Sequence, residues 1–279
     1  MARFVPMRLG YFLAECVGDV FFLLSARNRN VVSNNIKRVT GLEQDERTLR
    51  RKVRTVFKNA TKNYFDLTKL SRLRLENIEE NVTIKGWHHL AEAVTNSPGT
   101  IIATAHLGNF EYAGQVLALR GIEMTIFVEV FNSTPFLRNI AKLRQRNEGR
   151  ILPVSISAFR DGLQILRNGG TMLMVCDRDI RGNGLKVDFF REETSLPYGA
   201  ISLALRTGAA IVPAFSVRKP GNRFVIYIEP PLELIDIGNR NQSVKANLEK
   251  LVAIMEKYIQ QYPEQWVVIE PIWRNQRPN

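Results

Sequence analysis

A histidine and a glutamate five residues apart are the pair of side chains with the clearest chemical capacity in this sequence. His106 and Glu111 follow directly after the apolar run at residues 100–103. An imidazole takes up a proton near neutral pH, and a carboxylate that accepts from one ring nitrogen leaves the other free to do so. The chain has only 3 histidines, the others being the adjacent His88 and His89. His106 is therefore the predicted general base.

The spacing of this pair restricts the structure that carries it. Side chains that meet on one helix face are three or four residues apart, so a continuous helix would not join them. We predict a strand at residues 100–104, a turn at Gly108 and Asn109, and Glu111 in the first turn of the next helix. The alternative is a structural role, in which a strand-end histidine bonds a glutamate that caps the helix.

Four segments of the chain together resemble a known family of enzymes. They are His-Leu-Gly-Asn-Phe-Glu at residues 106–111, Asp-Arg-Asp at 177–179, Val-Asp-Phe-Phe at 187–190, and the segment at 196–210. Their order and spacing resemble the lipid A biosynthesis lauroyl acyltransferase and phosphatidylinositol mannoside acyltransferase family, which shares a His-x4-Asp/Glu motif. The segment at residues 263–273 favours the mannoside side of that family. Glu111, where the motif usually has Asp, is a departure from it.

The resemblance implies an activity. It is the transfer of a fatty acyl chain from acyl-CoA or an acyl-carrier protein to a hydroxyl of a glycolipid similar to a phosphatidylinositol mannoside. A lipid A or lysophospholipid acceptor is the alternative within the same superfamily. His106 would remove the hydroxyl proton and Glu111 would stabilise the imidazolium, with no serine or cysteine nucleophile, no cofactor and no metal.

The resemblance also implies residues that bind substrate. Arg144, with Arg146 as the second choice, would hold a phosphate or the thioester carbonyl. The backbone amides near Gly108 and Asn109 are the other candidates for stabilising the oxyanion. An apolar groove for the acyl chain would be formed by aromatic side chains that otherwise belong to the core: Phe110, Phe131, Phe136, Phe189 and Phe190.

The Asp-Arg-Asp segment has three interpretations. The family resemblance implies that Asp177, Arg178 and Asp179 position the acceptor. The structural alternative is a turn whose carboxylates cap backbone amides and pair with the arginine. Two aspartates also suit a metal ion, but no other cluster of ligands in the sequence supports a metal site.

The elements that must position these residues alternate between strand and helix. Periodicity and turn residues predict strands at 100–104, 123–130, 151–154, 171–176, 209–217 and 224–228. They predict helices at 110–120, 135–146, 157–168, 197–208 and 243–262. This order predicts an α/β fold, with a mostly parallel sheet flanked by helices and its functional loops at the carboxyl ends of the strands. Asp177 would then open on the same edge as His106. The family resemblance implies the same lysophospholipid acyltransferase-like fold.

The amino-terminal part of the chain predicts contact with a membrane. Residues 4–25 are apolar but are interrupted by Arg8, Glu15 and Asp19, which favours an amphipathic helix on the membrane surface or on the core over a spanning helix or a signal peptide. A basic amphipathic helix follows. We predict a membrane-associating helical region at 1–75 and an acyltransferase core at 76–279, forming one structural domain at the cytoplasmic face of the plasma (inner) membrane.

Charge and cysteine content narrow the classes of partner. With 39 Lys and Arg against 27 Asp and Glu, the net charge is +12, which favours an anionic membrane surface or nucleic acid. The chain has no zinc-finger spacing, helix-turn-helix pattern or aromatic-basic strand motif, so we predict no nucleic-acid partner. A basic nucleic-acid-binding protein and a non-catalytic membrane scaffold remain the rivals from other classes. Cys16 and Cys176 match no metal or redox spacing, as is typical of reduced thiols in the cytosol.

Overall fold

The computed structural model describes residues 6–41, 45–69, 78, 80–128, 150–153 and 156–273. The helices within them are α1 (Met7–Leu24), α2 (Ala26–Thr40), α3 (Glu46–Leu67), α4 (Trp87–Asn96), α5 (Phe110–Leu119), α6 (Ile156–Arg167), α7 (Gly199–Thr207) and α8 (Arg240–Gln261). The strands are β1 (Val82–Lys85), β2 (Thr100–Thr104), β3 (Met124–Val128), β4 (Arg150–Pro153), β5 (Thr171–Val175), β6 (Leu185–Phe189), β7 (Glu192–Leu196), β8 (Ala210–Lys219) and β9 (Arg223–Ile228).

The main sheet is mostly parallel, which confirms the predicted α/β class. Within the described residues it contains seven strands in the order β1-β9-β8-β2-β5-β3-β4. Neighbouring strands pair in parallel except β8 and β9, so β1 and β9 run opposite to the other five. Strands β6 and β7 form a separate antiparallel hairpin.

Helices cover both faces of this sheet. In β2 the buried Ile101 and Ala103 pack into the core beneath α6, α7 and α8, whereas Ile102 packs into the core beneath α4 and α5. A strand sends successive side chains to opposite faces, so a strand covered on both sides is apolar throughout. All five residues of β2 are accordingly buried.

The register of β2 and β5 creates the functional edge. These strands are parallel neighbours near the middle of the sheet, and Thr104 lies opposite Val175. The Cys176 amide donates to the Thr104 carbonyl at 2.8 Å, which continues the pairing past the ends of both strands. The segments after residues 104 and 175 therefore leave the same edge side by side.

Most of the predicted elements are present, and a few were missed. The strands at 100–104 and 171–176 and the helices at 110–120, 157–168 and 243–262 are confirmed to within a few residues at their ends. The predicted helix at 135–146 lies outside the described residues. Helix α2, strand β1, helix α4 and the β6–β7 hairpin were not predicted from the sequence.

The amino-terminal helices pack against each other closely. A Cβ atom at Gly10 would lie 2.0 Å from the Phe65 ring, and one at Gly18 would lie 2.7 Å from the Lys58 backbone. Glycine at both positions therefore lets α1 lie directly on α3. The acidic side chains on the flank of α1 pair with bases of α3, with Lys62 2.7 Å from Glu15 and Arg54 2.6 Å from Asp19.

The lengths and hydropathy of the described helices bear on whether they could cross a membrane. None of them alone is long and apolar enough to cross a bilayer. The pair Met7–Leu24 and Ala26–Thr40, which is bent by 99°, meets the length and composition criteria when taken together.

A buried carboxylate joins these helices to the rest of the fold. Asp66 at the end of α3 is 2% exposed and accepts hydrogen bonds from Tyr11 at 2.6 Å, Asn109 at 2.8 Å and Arg218 at 2.5 Å. Its partners lie on α1, on the loop after β2, and on β8. Both charges of the Asp66–Arg218 pair are buried, so each compensates for the lost solvation of the other.

We predict that Asp66→Asn destabilises the protein by about 3–5 kcal/mol, because it leaves the Arg218 guanidinium buried without its counter-charge. Urea unfolding followed by circular dichroism measures the change. The matched control is Asp19→Asn, which breaks an exposed ion pair with Arg54 and is expected to cost much less. Equal losses in the two variants would contradict the structural importance of the buried pair.

Candidate active site

The loop after β2 pairs through its backbone with a segment far along the chain, residues 265–267. The Val267 amide donates to the His106 carbonyl at 2.8 Å, and the Gly108 amide donates to the Gln265 carbonyl at 2.8 Å. Leu107 and Trp266 form an antiparallel bridge between these two bonds. The backbone on which His106 sits is thus fixed by β-type pairing, although it lies beyond the end of its strand.

The His106 imidazole pairs with Asp177, the second residue after β5. Nδ1 of the ring lies 2.7 Å from Asp177 Oδ1. The other carboxylate oxygen accepts from the His106 amide at 2.9 Å and from Trp266 Nε1 at 2.7 Å. Three contacts thus fix a carboxylate that is 0% exposed.

These contacts keep Asp177 ionised. Burial acts to raise the pKa of this carboxyl, but the His106 charge and the hydrogen bonds from His106 and Trp266 outweigh it and hold the pKa below its usual range. A carboxyl group whose pKa is lower in the folded protein than in the unfolded chain stabilises the fold. This stabilisation is fully present above the unfolded pKa of about 4 and is lost as the pH falls through the pKa of the folded protein. Asp177 is therefore a carboxylate at neutral pH.

An ionised partner determines what the imidazole can do. A carboxylate accepts but does not donate, so Nδ1 carries the proton and Nε2 of the neutral ring has its lone pair free. Nε2 has no hydrogen-bond partner among the described residues, and the side chain is 22% exposed. This is the arrangement of a general base held by a carboxylate at the carboxyl edge of a sheet.

The carboxylate that holds Nδ1 is therefore Asp177. The five-residue spacing had instead predicted Glu111 as this partner. The physical reason is strand pairing, which brings residues 106 and 177 together at the shared edge of β2 and β5. Glu111 does lie in the first turn of α5, as predicted. Its catalytic role stays a prediction.

Gly108 serves the backbone geometry of the loop. It has a φ of +58°, and a Cβ atom there would lie 2.0 Å from the carbonyl oxygen of Ser216. Its amide donates to the Gln265 carbonyl in this structure, so it is not free to bind an oxyanion here, and its predicted contact with substrate stays a prediction. The side chain of Asn109 caps α5 by accepting from the Tyr112 amide at 3.0 Å and donates to Asp66, so it is structural as well.

The rest of the Asp-Arg-Asp segment forms a turn beside the histidine. Arg178 pairs with Glu270 at 3.0 Å, and Asp179 accepts from the amides of Gly182 at 2.9 Å and Gly184 at 2.7 Å. For Asp179 this matches the structural alternative, in which a carboxylate caps backbone amides. Substrate contacts of Arg178 and Asp179 stay predictions. Within the described residues, no three His, Cys, Asp or Glu side chains are grouped as metal ligands.

The predicted aromatic groove is only partly within the described residues. Phe110 meets the His106 ring edge to face with centroids 5.4 Å apart. Behind it a narrow, largely apolar crevice runs between α5 and the sheet. Phe189 is fully buried against Trp266 and Trp273, so it belongs to the core. Other predicted site residues lie outside the described residues, namely Arg144, Arg146, Phe131 and Phe136.

The cysteine next to the site is inert. Cys176 is 2% exposed, and burial together with the neighbouring Asp177 charge raises the pKa of its thiol to about 12. A protonated, inaccessible thiol is a poor nucleophile, so Cys176 does not compete with His106 as the reactive group at this edge of the sheet.

Comparison with known proteins adds independent evidence. Residues 1–275 match the family of bacterial lipid A biosynthesis acyltransferases. Two proteins named phosphatidylinositol mannoside acyltransferase, from Mycobacterium tuberculosis strains CDC 1551 / Oshkosh and ATCC 25618 / H37Rv, are each 28% identical over 68% of this chain and 59% of their own length. A protein of the same name from Mycolicibacterium smegmatis is 26% identical over 66% of this chain and 60% of its own. The chain thus spans about three fifths of the length of these relatives.

We predict that the neutral His106 ring is protonated at Nδ1, because the Asp177 carboxylate accepts there. Nitrogen-15 correlation spectra of the imidazole measure the tautomer directly. Asp177→Asn should abolish this preference, whereas Asp179→Asn, which alters a carboxylate bonded to the turn amides, should preserve it. A wild-type ring protonated mainly at Nε2 would contradict the assignment.

Proposed function

The chain belongs to the family of bacterial lipid A biosynthesis acyltransferases, and from this premise we propose that it transfers a fatty acyl group from a thioester to a hydroxyl of a membrane glycolipid. The observation that carries the proposal is the His106–Asp177 pair with its open Nε2 at the carboxyl edge of the sheet. The names of the similar proteins refer to phosphatidylinositol mannoside. We therefore propose an acceptor of that type, with acyl-CoA or an acyl-carrier protein as donor.

The proposed reaction is a direct displacement. His106 Nε2 takes the proton of the acceptor hydroxyl while that oxygen attacks the thioester carbonyl. The new C–O bond forms, the C–S bond breaks, and the departing thiolate receives the proton from the imidazolium. Asp177 stabilises the positive ring during this sequence, because its charge lies 2.7 Å from Nδ1.

Fewer groups are available to stabilise the oxyanion than the sequence predicted. The Gly108 amide already donates to Gln265, so the Asn109 backbone amide and Arg144 are the donors that we propose. A preorganised donor of this kind contributes about 3 kcal/mol to the transition state.

The outer face of α1 supports attachment to a membrane. Phe12 and Leu23 are each 64% exposed and Leu24 is 81% exposed, and the remaining exposed apolar residues of the helix are Met7, Leu9, Leu13, Val17 and Val20. A contiguous apolar face of this kind is typical of a membrane or partner surface. With the acidic residues of α1 paired to α3, this face can enter the headgroup boundary of an anionic bilayer, which the net charge of +12 also favours. We propose that the protein lies on the cytoplasmic face of the inner membrane.

The apolar crevice behind Phe110 is the proposed start of the acyl-chain site. Its lining comes from α5 and from the sheet face beneath it, and its volume is about 10 Å³. Phe110, one of the lining residues, contacts the His106 ring. Helix α5 would have to move away from the sheet to admit an acyl chain. Burial of each methylene contributes about 0.8 kcal/mol, so depth of the crevice would govern chain length.

We predict acceptor-dependent release of thiol from palmitoyl-CoA by the detergent-purified protein, measured with a panel of mannosylated phosphoinositides, lysophospholipids and lipid A precursors. His106→Ala should lower the rate by at least ~10²-fold, since it removes the base. Asp177→Asn should also lower kcat, because the tautomer is no longer fixed.

The matched control is His88→Ala, which changes an exposed histidine on α4 and should leave the rate unchanged. Transfer that survives His106→Ala would refute the assigned base. Absence of transfer from both acyl-CoA and acyl-carrier protein, together with binding to duplex DNA or to vesicles that is indifferent to residue 106, would support the non-catalytic alternatives.

We predict that Leu23→Ser combined with Leu24→Ser weakens binding to anionic vesicles by at least ~10-fold, because it removes two apolar side chains from the inserted face. Vesicle co-sedimentation measures the effect. The control changes two exposed isoleucines elsewhere, Ile235→Ser and Ile237→Ser, and should bind as the wild type does. A similar loss in the control would argue against insertion of α1.

A further inference from the structure

A second cleft has in its wall Gln265, whose carbonyl pairs with the loop that carries His106. It has a volume of about 450 Å³ and lies between α3 and the turn at Pro220–Asn222, with Glu15 of α1 also in its wall. Clefts of this size hold small ligands or headgroups. The mechanism proposed above makes no use of it.

The lining of this cleft is polar and carries an excess of positive charge. Two carboxylates, Glu15 and Glu264, contribute to the wall, against five cations: Arg51, Lys52, Lys62, Arg218 and Lys219. The neutral part of the wall includes hydroxyl and amide side chains, namely Thr55, Asn59, Asn222 and Gln265. Such a wall suits a ligand that combines an anionic group with hydroxyls.

Only part of this positive charge is compensated within the protein. Lys62 pairs with Glu15 at 2.7 Å, and Arg218 pairs with the buried Asp66 at 2.5 Å. Arg51 and Lys52 form no ion pair with any described residue, and neither does Lys219, whose amine donates to the Tyr262 hydroxyl at 3.0 Å. Three cations that line the cleft thus have no carboxylate partner among the described residues, and phosphate is a ligand group that arginine and lysine both bind well.

The position of the cleft favours one source of phosphate. Glu15 is on the flank of α1, and the outer face of the same helix is the exposed apolar surface. Gln265 in the wall accepts from the Gly108 amide through its own carbonyl, so the cleft adjoins the catalytic loop. A lipid whose chains lie in the bilayer beneath α1 would place its headgroup at the level of the cleft.

We propose that this cleft binds the phosphate-bearing headgroup of a membrane lipid, with Arg51, Lys52 and Lys219 as the phosphate ligands. The inference rests on the proposed membrane attachment through α1, and it adds the site by which the enzyme recognises an anionic lipid. The phosphates of acyl-CoA have the same chemistry, so the experiment separates the two sources.

Isothermal titration with two soluble probes tests the proposal. Dihexanoyl-phosphatidylinositol represents the lipid headgroup, and adenosine 3′,5′-bisphosphate represents the nucleotide of CoA. Arg51→Gln combined with Lys52→Gln should weaken binding of the lipid probe by at least ~10-fold, and Lys219→Gln alone should weaken it less. The matched control, Arg240→Gln with Lys245→Gln, changes two exposed bases of α8 and should bind the lipid probe like the wild type.

Each outcome bears on the proposal. Unchanged binding of the lipid probe in the cleft variants would overturn it, and so would loss of adenosine 3′,5′-bisphosphate binding in the same variants without loss of the lipid probe. His106→Ala should bind the lipid probe normally. Absent acyl transfer with intact cleft-dependent binding would therefore refute the proposed chemistry alone, whereas normal transfer without such binding would refute this inference alone.

Discussion

The geometry of the site depends first on the buried carboxylate of Asp177. Asp177 has no contact with solvent, so its charge must be compensated by the groups around it. His106 supplies a ring nitrogen and its backbone amide, and Trp266 supplies its indole N–H. These donors come from the loop after β2 and from a segment that lies 89 residues beyond Asp177 in the chain. The same bonds that satisfy the charge also orient the imidazole, so stability and reactivity have a common origin.

A second buried carboxylate, Asp66, holds the loop from the amino-terminal side. It binds Asn109, which caps α5, and it pairs with Arg218, whose backbone amide donates to the Gln265 side-chain oxygen. The loop at residues 106–109 is thus fixed through its backbone, its histidine and its asparagine. Helices α1 and α3 are consequently connected through polar contacts to the loop that carries His106.

The sequence predicted those features that are local or periodic. The strand before His106, the helix after it and the shared edge with Asp177 follow from apolar runs and turn residues near one another in the chain. The partner of the imidazole was missed because five-residue spacing carried more weight than strand order.

The β6–β7 hairpin was missed because its turn places Phe190 and Arg191 at positive φ, where Asn and Gly are the usual residues. Helix α2 is largely polar, and only a narrow row of residues such as Ile36 is buried. The Asp66 network joins residues more than a hundred positions apart, which no local pattern indicates. The division at residue 75 stays a prediction.

The pairing of residues 265–267 with the loop after β2 has a consequence for the order in which the protein folds. Loop closure over such a long separation is entropically unfavourable and comes late, after local helices and neighbouring strands have formed. During synthesis His106 leaves the ribosome long before Trp266 does. The contacts that fix the His106 loop are therefore completed only after β9, the last described strand of the sheet, has emerged.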